Sequence, residues 1–290
     1  MYNIRYHLAS LVAVFLALTV GLVLGTVVAE RGTLDNQSTT LVDDLQKQFA
    51  QIQTDNNALR DGLERDRAFA GDVVPALTVD ALSGETVAIL VNGGRSNGLN
   101  ATMAAIEDAG GIPVVLTFSS PGLDLDSHVP EGISALLGEG FTEPTSAPAN
   151  AAFKNAVADV LAAELRQAGP RPMLDLLKES AALSLSSAAD FGAVDACVLM
   201  VSFDGQPDEI SSKIAGALDV RGAVVVGAEA TNQTTGIAVE TVDLGFSAVD
   251  HVDTPQGAYS LVWLLSGRAS GYYGIGAGAD AVYPTISKQD

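Results

Sequence analysis

The chain of 290 residues has a single cysteine, Cys197, one tryptophan, three histidines and only 6% aromatic residues. One cysteine excludes an intramolecular disulfide and any Cys-rich zinc or iron–sulfur site. Basic residues are also scarce: 15 Lys and Arg stand against 35 Asp and Glu, a formal net charge of −20. Nucleic-acid binding needs clustered cations to displace counterions, so nucleic acid is set aside as a partner. What is abundant is aliphatic. With 48% hydrophobic and 17% charged residues the chain is too apolar for intrinsic disorder, and a folded core is expected. The length accommodates one or two domains.

The apolar residues are concentrated first at Leu8 to Ala29, 22 residues without a charge, flanked by Arg5 and His7 before and Glu30 and Arg31 after. As a helix this run is roughly 33 Å long, enough to cross a hydrocarbon core of about 30 Å. The leading reading is a transmembrane anchor over 1–31, with the span at 8–29. The competing one is a cleaved signal peptide ending at Val27-Val28-Ala29, against which the length of the apolar run counts. Arg5 and the amino terminus before the span, with an acidic chain after it, favour a cytoplasmic N-terminus and an extracytoplasmic bulk. Ala9, Ala13, Ala17, Gly21, Gly25 and Ala29 form a row of small residues at i+4 spacing. Such a face lets two helix backbones approach closely, and it is the expected dimer face of the anchor.

Residues 32–75 carry a second pattern. Val42, Phe49, Asn56 and Leu63 fall at heptad position a, and Leu45, Ile52 and Leu59 at position d. About three heptads predict a coiled-coil stalk, in which Asn56, a polar a-position residue, fixes register and favours two strands. A monomeric amphipathic helix would show much of the same periodicity. A small-residue seam running into a heptad seam favours a parallel homodimer. The repeat fades at Asp66, and Pro75 is expected to end the helix.

From Ser83 the chain alternates short β-branched runs with helical stretches. Strands are expected at Thr86–Val91, Ile112–Phe118, Asp195–Phe203, Gly222–Ala228 and Ile237–Val242. Helices are expected at 97–109, 150–168, 172–182, 208–218 and 254–266, the last with Thr254 as N-cap and Pro255 in the first turn. The segment Leu123–Pro148 reads as an exposed loop with room for a turn of helix. The alternation predicts an α/β domain over 83–270, doubly wound and Rossmann-like around a mostly parallel sheet, with a C-terminal tail at 271–290.

Chemistry-bearing motifs are few. The turn Val91-Asn92-Gly93-Gly94-Arg95-Ser96-Asn97-Gly98 sits where such folds bind phosphates, yet matches neither G-x-G-x-x-G nor the P-loop pattern, and its glycines serve a tight turn. The Gly274-Ile275-Gly276-Ala277-Gly278 run reads as a flexible connection. Nucleophilic catalysis finds no G-x-S-x-G elbow, and Cys197 lies in an apolar strand, so no enzyme, no catalytic residue and no cofactor is expected. Copper(I) prefers Cys and Met sulfur, but Cys197, Met103, Met173 and Met200 stand apart. His251 and Asp253 are a candidate pair of ligands on an extended segment, set against a simpler role as a solvated or capping pair before the helix at Pro255. No metal ligands are assigned.

The stretch Tyr6-His7-Leu8-Ala9-Ser10-Leu11-Val12-Ala13-Val14-Phe15-Leu16-Ala17-Leu18 with Gly21-Leu22-Val23-Leu24-Gly25 resembles the opening of the MctB copper-transporter family of actinobacteria. Val249-Asp250-His251-Val252-Asp253-Thr254-Pro255-Gln256-Gly257 and Gly271-Tyr272-Tyr273-Gly274 resemble its C-terminal signature. The resemblance implies an envelope protein with one membrane helix, a coiled coil and an α/β domain, working in copper transport and copper homeostasis. Copper enters only through this resemblance. SteB-like members imply an alternative, a dimeric scaffold in envelope assembly or division beside a SteA-like partner. The resemblance leaves the cell membrane and the outer membrane of the envelope as alternative locations, and a spanning α-helix is ordinary for the former.

Overall fold

The computed structural model describes residues 4–92, 98–138, 141, 151–186, 191–231 and 236–285, without the side chains of 30–40. The chain divides into two units, Met1–Asp66 and Arg67–Asp290.

The first helix, α1, is Ile4–Thr78. In the first unit, Ile4–Ala29 is long and apolar enough to cross a membrane, and none of its apolar window is buried among the described residues. Ala9, Ala13, Ala17, Gly21, Gly25 and Ala29 are all exposed on the single chain. So are Val42, Leu45, Phe49, Ile52, Leu59 and Leu63, each about half exposed or more. Asn56 donates its side-chain amide to the Ile52 carbonyl at 2.9 Å. Contrary to the expectation at Pro75, the helix continues to Thr78. The proline removes one N–H bond, to the carbonyl of Gly71, and only three residues remain beyond it. Thr78 closes the end by donating its hydroxyl to the Val74 carbonyl at 3.0 Å.

In the second unit β1 (Thr86–Asn92), α2 (Leu99–Asp108) and β2 (Ile112–Phe118) form the expected βαβ unit. After a 3₁₀ turn at Pro121–Asp124 come α3 (Ile133–Leu137), α4 (Ala151–Leu165), α5 (Pro172–Glu179) and β3 (Leu183–Ser186). Then follow β4 (Ala196–Met200), a small hairpin of β5 (Ser202–Phe203) and β6 (Gln206–Pro207), α6 (Glu209–Val220) and β7 (Val224–Ala228). The order closes with α7 (Ile237–Asp243), β8 (Ser247–Val249), α8 (Pro255–Leu265) and β9 (Tyr272–Tyr273).

The seven-stranded sheet has the order β3-β2-β1-β4-β7-β8-β9, parallel except for β3. Both faces are covered. Side-chain alternation sends Ala88, Leu90, Cys197 and Leu199 into a core with α4, α5 and α6. The intervening Val87, Ile89, Val91, Ala196 and Val198 join a second core with α2 and α8. Strands buried on both sides must be apolar throughout, which is why β1 and β4 read as continuous aliphatic runs.

Three elements differ from the sequence reading. Ile237–Val242, expected as a strand, lies in helix α7. Its buried residues Ile237, Ala238 and Thr241 have helical spacing, and Gly236 enters the helix at a left-handed φ of 71°. Thr241 packs so closely on Gly227 of β7 that a Cβ there would collide with it. The segment after Leu123, expected as exposed, buries Leu123, Leu125 and Ile133 completely. The chain after residue 270 supplies β9, the last strand of the sheet, paired to β8 at Ala248↔Tyr272 and Val249↔Tyr273.

Candidate functional site

Parallel strands aim their C-terminal ends at one edge of the sheet, and ligand sites of α/β folds collect in the loops there. Four such loops converge. A Cβ built on Gly98, the N-cap of α2, would touch Ala230 after β7 and Val252 after β8 at 3.1 Å, and Met200 at the end of β4 at 3.3 Å. Gly98 holds a left-handed φ of 87°. The rest of the glycine turn, 93–97, lies outside the described residues, and with it the phosphate-site question.

The buried polar centre of this edge is Asp250-His251. Asp250 follows β8 and receives donors from the segment after β9. Its carboxylate accepts from the backbone amides of Ile275 at 2.8 Å and Gly276 at 2.7 Å, and from the Tyr272 hydroxyl at 2.8 Å. His251 Nδ1 bonds to the same carboxylate. The segment must come this close, because a Cβ at Gly274 would strike the carboxylate and one at Gly276 would sit 2.8 Å from Oδ2. The run expected as a flexible connection is therefore a cradle for Asp250. Burial pushes the Asp250 carboxyl up, but the Ile275 amide, His251, Tyr272 and the Gly276 amide together outweigh it and hold it below the usual carboxylate range. Burial, and the carboxylate it donates to, push the Tyr272 phenol upward.

His251 adopts a left-handed φ of 50°, uncommon for a residue with a Cβ. Its carbonyl accepts from the Thr254 amide at 3.0 Å and the Thr254 hydroxyl at 2.9 Å, which fixes the turn into α8. As expected, Thr254 caps that helix, accepting from the Gly257 amide at 3.2 Å. The imidazole is buried, and its Nε2 meets no hydrogen-bond partner among the described residues. Among the described residues no hydrogen bond joins His251 and Asp253. Asp253 accepts instead from the Thr231 amide at 2.6 Å, while Val252 donates to the Glu229 carbonyl at 2.9 Å, so the loops after β7 and β8 are laced together.

The sulfur atoms do not assemble. Cys197 lies mid-strand in β4, fully buried, and burial pushes its thiol up to about 12, far from a thiolate at neutral pH. Met200 Sδ receives the Thr102 hydroxyl at 3.7 Å, and Met173 is sealed in the opposite core. Among the described residues no group of three or more His, Cys, Asp or Glu side chains is placed to hold a metal ion. Asp250, Tyr272 and the amides of Ile275 and Gly276 went unrecognised in the sequence reading. The closely spaced Gly274 and Gly276 after two tyrosines were the available signal.

A mostly parallel α/β domain in one chain with a helix of membrane-crossing length defines the class: an α/β protein carrying a candidate membrane anchor. Within that class the sequence is specific. Residues 1–284 match the family described as "Copper transport outer membrane protein, MctB", and the chain belongs to that family. It is similar to the copper transporter MctB of Mycobacterium tuberculosis (strain ATCC 25618 / H37Rv), 26% identical over 319 aligned residues that cover 99% of this chain and all of the relative. The copper transporter MctB of Mycobacterium bovis aligns with the same identity and coverage. Among solved structures, aspartate transcarbamoylase from Trypanosoma cruzi aligns over 69% of this chain and 91% of its own at 10% identity, with a TM-score of 0.16, too low to carry an argument.

Proposed function

We propose that this chain is a single-pass envelope protein that handles copper on the outer side of the membrane as a parallel dimer. The family match over residues 1–284 carries the copper reading. In this reading residues 8–29 cross the membrane with the N-terminus in the cytoplasm, and the α/β domain lies outside. The two rows on α1, small residues from Ala9 to Ala29 and heptad residues from Val42 to Leu63, meet their counterparts on a second copy. Half-exposed Val42, Leu45, Phe49, Ile52, Leu59 and Leu63 support this, because a solvated apolar stripe of that length is costly until it is covered.

The span has no ionisable residue and no methionine, and one helix cannot enclose a polar path. The chain therefore acts beside a conduit, and the external domain receives copper or passes it on. The test is complementation of a host strain lacking its own family member and accumulating copper. The full chain lowers cellular copper, and a version lacking residues 1–31 does not. Unchanged copper with the full chain in the membrane would overturn the reading, and rescue of a septation defect in that strain would point to a scaffold instead.

A further inference from the structure

Helix α1 does not stop where its heptads break. It runs past Asp66 to Thr78, and in the register set by Val42 the later residues are apolar again, with Ala70 and Leu77 at position a, Val73 at d and Phe69 at the flanking g. All four belong to the second unit, on the last turns before the α/β domain. Phe69 is 70% exposed and Leu77 44%, while Ala70 and Val73 are partly covered. Pro75 falls at f, away from the seam. Asp66 is the single charged residue among the a and d positions from Val42 to Leu77, an interruption of the seam and not its end.

The side of these turns that meets the domain is a different one. Gly71, Val74, Pro75 and Thr78 line a groove shared with Ala104 and Ala105 of α2 and Ala258 of α8. At about 100° per residue, their centre lies roughly 120° round the helix from that of the a and d positions. The domain therefore leaves the seam side open to water, an unfavourable place for Phe69 and Leu77 together.

The flanking positions say what covers it. In a parallel, in-register pair each g position faces the e position five residues on in the other chain. Asp55 of one copy then meets Arg60 of the other, opposite charges, and Phe69 of one meets Val74 of the other, two apolar side chains. An antiparallel pair sets g against g, and none of the g residues from Gln48 to Ala76 is basic, so Asp55 loses its counter-charge.

We propose that a second copy of this chain covers Phe69, Ala70, Val73 and Leu77, so that the dimer seam runs to the foot of the α/β domain. The proposal rests on the parallel dimer above and adds a surface to it. The chain turns from Thr78 straight into the domain, where the Leu82 amide donates to the Ala109 carbonyl at 2.9 Å, so pairing at Leu77 sets the two domains side by side.

The test uses the full chain in detergent with single cysteines and a short bis-maleimide. Cys197 serves as a silent background, because its buried thiol is pushed up to about 12. Ile52→Cys at d and Leu77→Cys at a are expected to give the cross-linked dimer in comparable yield. Thr54→Cys at f, Asp72→Cys at c and the wild type are expected to give none. Linkage at Ile52→Cys without linkage at Leu77→Cys would overturn the proposal and leave the stalk dimer standing. Linkage at neither would overturn both, and copper handling would still be judged in cells. Equal linkage at Asp72→Cys would overturn the proposal as well, since random collision then accounts for the yield. Should Leu77→Cys fail to fold by circular dichroism, Ala70→Cys, the other a position, takes its place under the same outcomes. As a second readout, Leu77→Asp is expected to weaken the dimer at least about tenfold in sedimentation, and an unchanged dissociation constant would overturn the proposal.

Discussion

Replacing Asp250 by Asn changes one atom at the centre of the C-terminal edge, and the geometry fixes what it costs. Oδ1 serves His251 Nδ1 and the Ile275 amide, and Oδ2 serves the Tyr272 hydroxyl, the Gly276 amide and, at 3.2 Å, the Ile275 amide as well. An Asn side chain keeps one acceptor and turns an NH₂ group towards the other pair. Tyr272 can rotate its hydroxyl to accept, and His251 can exchange tautomers. A backbone N–H can do neither, so with the Asn oxygen in the Oδ1 place Gly276 loses its acceptor, and with it in the Oδ2 place Ile275 keeps only its longer contact. A bond to a charged group is worth about 1.5–3 kcal/mol, so Asp250→Asn is expected to destabilise the domain by about that much at pH 7. The pH dependence supplies a second check. Asp250 is held below its ordinary value, so its contribution is complete above the unfolded value of about 3.9 and is lost as pH falls through the lower folded value. The gap between wild type and variant therefore narrows below about pH 4. Urea unfolding can be followed by the fluorescence of Trp263, the sole tryptophan, whose ring centroid lies 5.5 Å from that of Tyr259. Stabilities within about 0.5 kcal/mol at pH 7, or a gap constant down to pH 3, would refute the reasoning.

Other outcomes follow from neighbouring features. Gly274→Ala drives a methyl group into the Asp250 carboxylate and is expected to cost about 1–3 kcal/mol in the same urea assay, whereas Gly216→Ala in α6, with open space around it and a helical backbone, meets no such contact. Cys197, its thiol pushed up to about 12 by burial, stays unmodified by iodoacetamide at pH 8 in the native protein and reacts once urea unfolds it. Native reactivity at the rate of a free thiol would contradict the placement of β4. Phe49→Asp, at a heptad a position 65% exposed on the single chain, is expected to abolish the proposed dimer in cross-linking and sedimentation, while Thr54→Asp, at the outward f position, leaves it in place.

Much of the sheet is legible because its strands are buried on both faces. Thr86–Val91, Ile112–Phe118 and the core of Asp195–Phe203 are continuous aliphatic or β-branched runs, and α8 announces itself through Thr254-Pro255. The misread element α7 carries Ile237, Val239, Thr241 and Val242, β-branched residues that favour strands in isolation. Its helix is imposed by packing on Gly227, which local composition does not encode. Strands β8 and β9 are three and two residues long, too short to show a period. The site was half legible. His251 stood out as one of three histidines, but its partner was sought two residues on, at Asp253, by strand geometry. The left-handed turn at His251 breaks that geometry, and Asp250 becomes the partner. Four of the donors that define Asp250's environment come from residues 251 to 276, assembled by the pairing of β8 with β9, a long-range event without a local pattern.

The measurement closest to the central claim is copper export itself. Cells lacking their own family member are loaded with radioactive copper, washed, and followed for loss of the label. The account predicts faster loss with the full chain than with empty vector, and no acceleration when residues 1–31 are removed. Equal rates for full chain and empty vector, with the protein present in the membrane, would contradict it.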